Sequence, residues 1–223
     1  MIVEERIRDY LYSLEPDEGR LCEAIAREAL ERNIPIIKRE TKALLKTLLV
    51  AKQPRAVLEV GTAVGYSALL MAQITGEDCR ITTIEKYEPR IQEARENFAK
   101  AGIKEKIRLL EGDAGEILKS LKGTYDFIFM DGAKGQYLHW LPDILRLMPA
   151  GGILFSDNVL QDGDVVQSRY AVERRDRTIH GRMREYLYQI KHMEALETAV
   201  IPIGDGVAVS VKRKETDGSV RVE

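Results

Sequence analysis

Residues 56–67 read AVLEVGTAVGYS, and this stretch predicts how the chain folds. An apolar run of strand length is followed by two glycines, Gly61 and Gly65, and then by an apolar helical pattern. Glycine lets the backbone turn tightly and approach a ligand closely. The glycine pattern differs from the G-x-G-x-x-G of a dinucleotide site, because Ala63 stands at the middle small-residue position. In addition, an acid, Glu59, precedes Gly61 by two residues. The stretch therefore predicts a strand, a glycine loop and a helix within an α/β sheet.

The same alternation of strands and helices continues toward the C-terminus. Four more apolar runs of strand length follow, each with a helical pattern after it: RITTIE, KIRLLEG, YDFIFMD and GGILFSDN. Such alternation predicts a doubly wound, mostly parallel sheet. Pro89 and Gly102 mark the start and the end of the helix after RITTIE, and Pro142 is expected to kink or restart a later helix. A long polar helix near residues 168–195 precedes LETAVIPIG and GVAVSVKRK, which predict a hairpin and hence one antiparallel edge strand.

Length and periodicity predict a single domain over residues 1–223. Three amphipathic helices are expected within residues 1–52, a sheet core over 55–212 and a loose tail over 213–223. The helices carry more apolar surface than a covering layer needs, so we expect a homodimer.

The charge balance and the apolar runs exclude some classes of protein. The 34 Lys and Arg residues nearly balance 36 Asp and Glu residues, so net charge gives no argument for a nucleic-acid or membrane partner. No apolar run approaches the roughly 20 residues of a membrane span, and MIVEERIRDY lacks the apolar core of a signal peptide. We therefore expect a cytoplasmic protein with no membrane partner.

Acidic residues recur at or near the ends of the first three strands. Glu85 is placed to accept the two hydroxyls of a ribose, and Asp113 beside Ala114 could edge an adenine ring. Acids at successive strand ends discourage a phosphate ligand and tolerate a cationic one, such as a sulfonium. The alternative is that these acids only cap helices. The ordered series nevertheless makes S-adenosylmethionine the leading cofactor; its members are Glu59, Gly61, Gly65, Glu85 and Asp113.

Two further strand ends carry candidate metal ligands. Asp131 ends the fourth strand within MDGAKGQY, and Asp157 and Asn158 follow the fifth. Two carboxylates and an amide oxygen suit Mg²⁺, which would lower the pKa of a coordinated hydroxyl. Lys134 is then a candidate general base or electrostatic partner. The alternative is an Asx turn at Asp157 and a weak surface ion pair between Asp131 and Lys134.

Together these motifs resemble the metal-dependent O-methyltransferases, a group that includes catechol and caffeoyl-coenzyme A O-methyltransferases. The resemblance rests on E-x-G-T-x-x-G-Y-S from Glu59, the acid at Glu85, D-x-x-K-x-x-Y from Asp131 and the pair Asp157-Asn158. It covers about residues 35–212 and implies a Rossmann-like methyltransferase sheet of seven strands, the last antiparallel, in a homodimer.

The resemblance also implies roles for individual residues. Asp131, Asp157 and Asn158 would hold the metal, and Lys134 would deprotonate the acceptor hydroxyl. The methyl donor, S-adenosylmethionine, would be bound by Ile37, Lys38, Glu59, Gly61, Gly65, Ser67, Glu85, Asp113, Ala114 and Asp131.

Within this group, two segments resemble the bacterial tRNA 5-hydroxyuridine methyltransferases, which form 5-methoxyuridine at the anticodon wobble position. They are A-K-G-Q-Y after Asp131 and R-R-x-R-T-I-x-x-R-M-R over residues 174–184. The resemblance implies a tRNA anticodon loop as partner. The RNA-binding residues would be Arg174, Arg175, Arg177 and Arg184. One departure is Gly132, where alanine or a bulkier residue is usual.

Three alternatives stay open at this point. The arginines could form a solvated helix face with local ion pairs. The enzyme could be a small-molecule O-methyltransferase acting on catechol-like vicinal hydroxyls. The chain could also be a nucleotide-binding scaffold without enzymatic activity.

Overall fold

The computed structural model describes residues 4–214 of the chain. Its helices are α1 (Glu5–Ser13), α2 (Arg20–Glu31), α3 (Arg39–Lys52), α4 (Tyr66–Ile74), α5 (Glu88–Ala101), α6 (Ala114–Ser120), α7 (Tyr137–Leu147) and α8 (Arg177–His192). Its strands are β1 (Ala56–Val60), β2 (Arg80–Glu85), β3 (Ile107–Glu111), β4 (Phe127–Met130), β5 (Ile153–Ser156), β6 (Leu196–Ile201) and β7 (Val207–Lys212). Two short 3₁₀ turns cover Lys134–Gln136 and Gln161–Val166.

The strands form one seven-stranded sheet in the order β3-β2-β1-β4-β5-β7-β6. Strands β1 to β5 pair in parallel, and β7 is antiparallel to both of its neighbours. The predicted fold class is therefore confirmed, but the expectation of an antiparallel edge strand was wrong. Strand β7 lies between β5 and β6, and β6 forms the edge. Alternate residues at the start of β6 are exposed, whereas half of the residues of β7 are buried and none is exposed, so β7 suits an interior position.

The core lies on both faces of the sheet. Phe127 and Phe129 of β4 pack in one apolar cluster with α2 to α5, while Ile128 and Met130 pack in a second cluster with α6 to α8. This two-sided burial explains why β4 reads as an uninterrupted apolar run in the sequence. A sheet covered on both faces leaves its strand ends as the accessible places for a ligand.

The N-terminal helices differ in how they use their apolar faces. Helices α2 and α3 contribute Ile25 and Leu45 to the first core cluster. Helix α1 has no buried residue. The Tyr12 hydroxyl of α1 donates a hydrogen bond to the Glu40 carboxylate of α3 (2.5 Å). One face of α1 leaves large apolar side chains exposed, namely Ile7, Tyr10, Leu11 and Leu14.

Two local expectations need correction. The polar helix predicted near residues 168–195 spans only Arg177–His192, because the backbone N–H of Tyr170 donates to the Ser168 hydroxyl and buried Val172 anchors a turn before it. Helix α7 continues through Pro142, so the helix does not restart there. Of the predicted tail, residues 215–223 lie outside the described part of the chain. Over residues 4–214, no helix combines the length and the apolarity needed to cross a membrane.

Candidate functional site

The ends of three neighbouring strands define the site. Val60 of β1 pairs with Met130 of β4, and Met130 pairs with Ser156 of β5. The next residues continue this ladder, since Asp131 N–H donates to the Val60 carbonyl (3.0 Å) and Asp157 N–H donates to the Met130 carbonyl (3.0 Å). The two aspartates are therefore side by side at one edge of the sheet, as the sequence predicted.

The loop after β1 needs glycines because its backbone lies very close to neighbouring atoms of the protein. Gly61 has a φ of +103°, and a Cβ there would lie 2.8 Å from the backbone carbonyl carbon of Asp131. Gly65 has a φ of +83°, and a Cβ there would lie 2.6 Å from the ring of Phe98. Larger residues would push the loop away from Asp131 on one side and from α5 on the other. Gly61 lines the cavity described below, whereas Gly65 is not among the lining residues.

Glu85 holds the glycine loop in place. One carboxylate oxygen accepts from Ala63 N–H (2.9 Å), and the other accepts from Lys86 and Tyr87 N–H (2.9 Å each). Glu85 thus joins the loop after β1 to the start of α5. Glu85 also lines the cavity, so its contact with a ribose stays a prediction that is consistent with its position.

Asp113 caps the helix that follows β3. Its Oδ1 accepts from Gly115 N–H (2.9 Å), so the capping alternative applies to this side chain. Its Oδ2 lies 3.7 Å from Lys86 Nζ. Asp113 and Ala114 both line the cavity, which is where an adenine-edging role would require them.

Glu59 lies beneath the glycine loop and is fully buried. Its carboxylate accepts hydrogen bonds from Ser67 Oγ and from Thr83 Oγ1. Burial raises the pKa of Glu59 to about 7, although these two hydrogen bonds oppose the shift. Ser67 lines the cavity but Glu59 does not, so Glu59 acts on the site by fixing Ser67. Its predicted contact with the methyl donor is not visible in this geometry and stays a prediction.

A cavity of about 900 Å³ connects the two halves of the site. Its volume is within the range of small-molecule pockets. Its wall brings together most of the residues predicted from the sequence: Ile37, Lys38, Gly61, Ser67, Glu85, Asp113, Ala114, Asp131, Lys134, Asp157 and Asn158. A cofactor and an acceptor can therefore meet at the ends of β1, β4 and β5.

The two aspartates form a concentrated negative site. Burial and then the charge of Asp157 raise the pKa of Asp131 well above its usual value. Burial raises the pKa of Asp157 to about 6. Lys134 lowers the pKa of both carboxyls, which indicates that its ammonium acts on both. Carboxyls in such surroundings favour a cation between them.

Asn158 supplies the third oxygen that a metal would need. Its backbone N–H donates to Asp157 Oδ1 (2.7 Å), and its Nδ2 donates to Asp205 Oδ2 (2.7 Å). Within residues 4–214, no group of three or more His, Cys, Asp and Glu side chains could hold a metal ion. A metal would therefore depend on the amide oxygen of Asn158 beside Asp131 and Asp157. This all-oxygen set fits a hard cation such as Mg²⁺.

A buried tyrosine supports the motif that contains Asp131. The Tyr137 hydroxyl is buried and shared between the carbonyls of Met130 (2.8 Å) and Asp157 (3.2 Å), so it ties the ends of β4 and β5 together. Lys134 begins a 3₁₀ turn between Asp131 and this tyrosine.

Trp140 and Asp205 are two lining residues that the sequence analysis did not assign to the site. Trp140 lines the cavity, and a Cβ on Gly132 would lie 3.1 Å from its ring, so the unusual glycine makes room for this tryptophan. The unusual glycine at position 132 was the one sequence feature that could have indicated a large side chain packed against this loop. Asp205 also lines the cavity and bonds Asn158, but nothing in the sequence marked it.

The predicted RNA-binding arginines differ in their contacts. Arg175 pairs with Glu173 (3.0 Å), as the ion-pair alternative anticipated. Arg177 and Arg184 donate to the backbone carbonyls of Val172 and Val165 and help to shape the segment before α8. Arg174 is exposed.

One further arginine of this segment contacts the loop that carries Lys134. Arg182 Nη1 donates to the Gly135 carbonyl (3.1 Å), next to Lys134. The arginine-rich segment therefore adjoins the loop that carries Lys134.

A glycine loop, a cavity and paired carboxylates at the ends of a doubly wound sheet are typical of enzymes that transfer a group from a bound cofactor. A family model described as O-methyltransferase matches residues 17–214. The chain belongs to this O-methyltransferase family, and the predicted family resemblance is confirmed.

Known relatives agree with this family. Tapetum-specific methyltransferase 1 of Arabidopsis thaliana is 30% identical over 183 residues, which cover 80% of this chain and 77% of the relative. Caffeoyl-CoA O-methyltransferase 1 of the same plant is 27% identical over 210 residues, with 89% and 79% covered. A crystal structure of a proposed caffeoyl-CoA O-methyltransferase from Staphylococcus aureus superposes with a TM-score of 0.87 at 31% identity, covering 93% of this chain and 100% of that one. These similarities support the assignment of the chain to the O-methyltransferase family.

The buried carboxyl of Glu59 predicts a pH-dependent stability. Because its pKa is raised from 4.5 to about 7, the folded protein keeps a proton that the unfolded chain releases between these values. The free energy of unfolding should therefore fall as pH rises through this window, and Glu59→Gln should remove the part of that fall that Glu59 causes. Urea denaturation across the window should show the variant gaining about 3 kcal/mol relative to wild type. A difference that does not change with pH would contradict the assignment.

Proposed function

We propose that this protein transfers a methyl group from S-adenosylmethionine to a hydroxyl that neighbours a second oxygen atom. We further propose that the acceptor is 5-hydroxyuridine at the wobble position of tRNA. The observation that carries the proposal is the cavity in which the glycine loop meets Asp131, Asp157 and Lys134.

The donor half of the cavity supports S-adenosylmethionine. Glu85 and Asp113 lie where ribose and adenine contacts are expected, and neither favours a phosphate-bearing ligand. Membership of the O-methyltransferase family independently favours a methyl donor. The rigid loop between Gly61 and Ser67 would orient the donor toward Asp131, and orientation of this kind accounts for much of the rate in group transfer.

The acceptor half supports a divalent metal, which we propose to be Mg²⁺. Asp131, Asp157 and Asn158 would hold it. When bound, such an ion lowers the pKa of a hydroxyl and fixes its oxygen. Lys134 lines the cavity, and its Nζ would accept the proton of the acceptor hydroxyl. The Tyr137 brace between the ends of β4 and β5 would keep the two carboxylates in place.

The chemistry of 5-hydroxyuracil suits such a site. Its O4 and its 5-hydroxyl stand on adjacent carbons, so the base can chelate one ion as a catechol does. An anticodon base is single-stranded and can be turned into a pocket at a small unstacking cost. The arginine-rich segment beside Gly135 supports a polyanionic partner, because Lys and Arg contacts to phosphates supply most of the affinity for nucleic acid.

A second candidate is a small-molecule O-methyltransferase for catechol-like phenols. The observation that favours it is the presence of caffeoyl-CoA O-methyltransferases among relatives that align over most of both chains. Both candidates share the donor site and the metal site, and they differ only in what reaches the cavity.

The two candidate functions are distinguished by which substrate the enzyme methylates. Nucleoside mass spectrometry of tRNA from a deletion strain should show loss of 5-methoxyuridine and accumulation of 5-hydroxyuridine. Purified enzyme should methylate hydroxyuridine-bearing tRNA and should prefer it to catechol or caffeoyl-CoA at equal concentration. Efficient methylation of phenols with no transfer to tRNA would establish the second candidate instead.

Removal of the metal or of its first ligand tests the acceptor half. EDTA should abolish transfer, and Asp131→Ala should lower it by about 100-fold or more, because orientation and charge stabilisation are both lost. Affinity for S-adenosylmethionine, measured by calorimetry, should fall only modestly in both cases. Asp164→Ala is a matched control, since Asp164 is exposed and is not a lining residue. Transfer that survives complete metal removal would contradict the metal role.

We also propose that a second copy of this chain covers the exposed face of α1. Leu11 and Leu14 lie on that face, and exposed apolar patches of this kind mark protein contacts. Sedimentation at micromolar concentration should show a dimer for wild type, and Leu11→Glu with Leu14→Glu should shift it toward monomer. A monomeric wild type would exclude the second copy.

A further inference from the structure

Three chain segments meet at the metal side of the cavity. They are the segment that leads into α3, the segment after β5, and the turn between β6 and β7. Lys38, from the first segment, forms an ion pair with Asp205 of the turn. It also lies 3.4 Å from Asp162 of the segment after β5.

Asp205 uses its two carboxylate oxygens for different partners. Oδ1 accepts from Lys38 Nζ, and Oδ2 accepts from Asn158 Nδ2 (2.7 Å). A carboxylate bonded in this way accepts and does not donate, so the amide nitrogen of Asn158 has to face Asp205. The amide oxygen is then the end of Asn158 that is left for a ligand.

Backbone contacts fasten the same two segments together. Leu160 N–H donates to the Asp205 carbonyl (2.9 Å), and Val159 N–H donates to the Gly206 carbonyl (2.9 Å). Asn158 itself has a φ of +59°, a left-handed conformation that a non-glycine residue adopts at some cost. Asn158 is therefore held from its side chain and from the residues that follow it.

We propose that Asp205 is a positioning residue, which turns the amide oxygen of Asn158 toward the cation held by Asp131 and Asp157. This inference rests on the proposed function, because it takes Asn158 as a metal ligand. Residues that orient metal ligands through a hydrogen bond typically alter metal affinity by 10- to 100-fold when they are replaced.

A simpler role for Asp205 would be the ion pair with Lys38 alone. Asp162 allows the two roles to be separated, since it also approaches Lys38 but forms no hydrogen bond with Asn158. Its side chain is 62% exposed, against 15% for Asp205. Asp162→Asn therefore removes one charge from the same cluster and keeps both partners of the hydrogen bond between Asp205 and Asn158.

The test compares binding of Mn²⁺, as a spectroscopic probe, by wild type, Asp205→Ala, Asp205→Asn and Asp162→Asn. The Asn variant at 205 keeps an acceptor for Asn158 Nδ2 but loses the charge, whereas the Ala variant loses both. We expect Asp205→Ala to bind Mn²⁺ about tenfold or more weakly, and the other two variants to stay within about threefold of wild type. Methyl transfer by Asp205→Ala should be restored by raised Mg²⁺, which a merely structural defect would not allow.

Three other outcomes would contradict the inference that Asp205 positions Asn158. If Asp205→Ala binds Mn²⁺ as wild type does, Asp205 does not position Asn158, and the proposed function stands. If Asp205→Ala and Asp205→Asn are weakened equally, the charge of Asp205 matters and its hydrogen bond to Asn158 does not. If wild type itself binds no Mn²⁺, the metal role fails together with this inference. Urea denaturation of all four proteins would establish that each compared protein is folded.

Discussion

The in-register pairing of β1, β4 and β5 is the constraint on which the rest of the site depends. Because Val60, Met130 and Ser156 lie in one row, the residues that follow them emerge together at one edge of the sheet. Gly61 makes this possible, since any side chain there would collide with the backbone of Asp131. A shift of one residue in either pairing would turn the following side chain to the opposite face. The cofactor loop and the two carboxylates would then no longer share a cavity.

The site concentrates acidic groups, and the chain manages them in different ways. Glu59 is buried under the loop with two hydroxyl donors, and its raised pKa lets it hold a proton near neutrality. Asp131 and Asp157 are also buried, and the nearby Lys134 lowers the pKa of both. Asp205 is paired with Lys38. Two buried carboxyls side by side favour a cation at that end of the cavity.

Much of the fold could be predicted from local patterns, and the failures have specific causes. Pro89 and Gly102 bound α5 as expected, because each acts through its own backbone conformation. The start of α8 was missed because buried Val172 and the Ser168 hydroxyl favour a turn over a charged segment that could otherwise have been helical. Such contacts depend on the rest of the protein, and helical periodicity does not register them.

The sequence by itself determined which residues stand at the strand ends, because parallel strands that alternate with helices must end at a common edge. It therefore located Gly61, Asp131 and Asp157. Only the tertiary structure decided what surrounds them. Strand β7 inserts beside β5 in antiparallel register, with Ala208 opposite Ser156, so the turn before β7 reaches the end of β5. That insertion brings Asp205 to Asn158 across 47 residues of chain, a contact created by strand order and therefore absent from any local pattern.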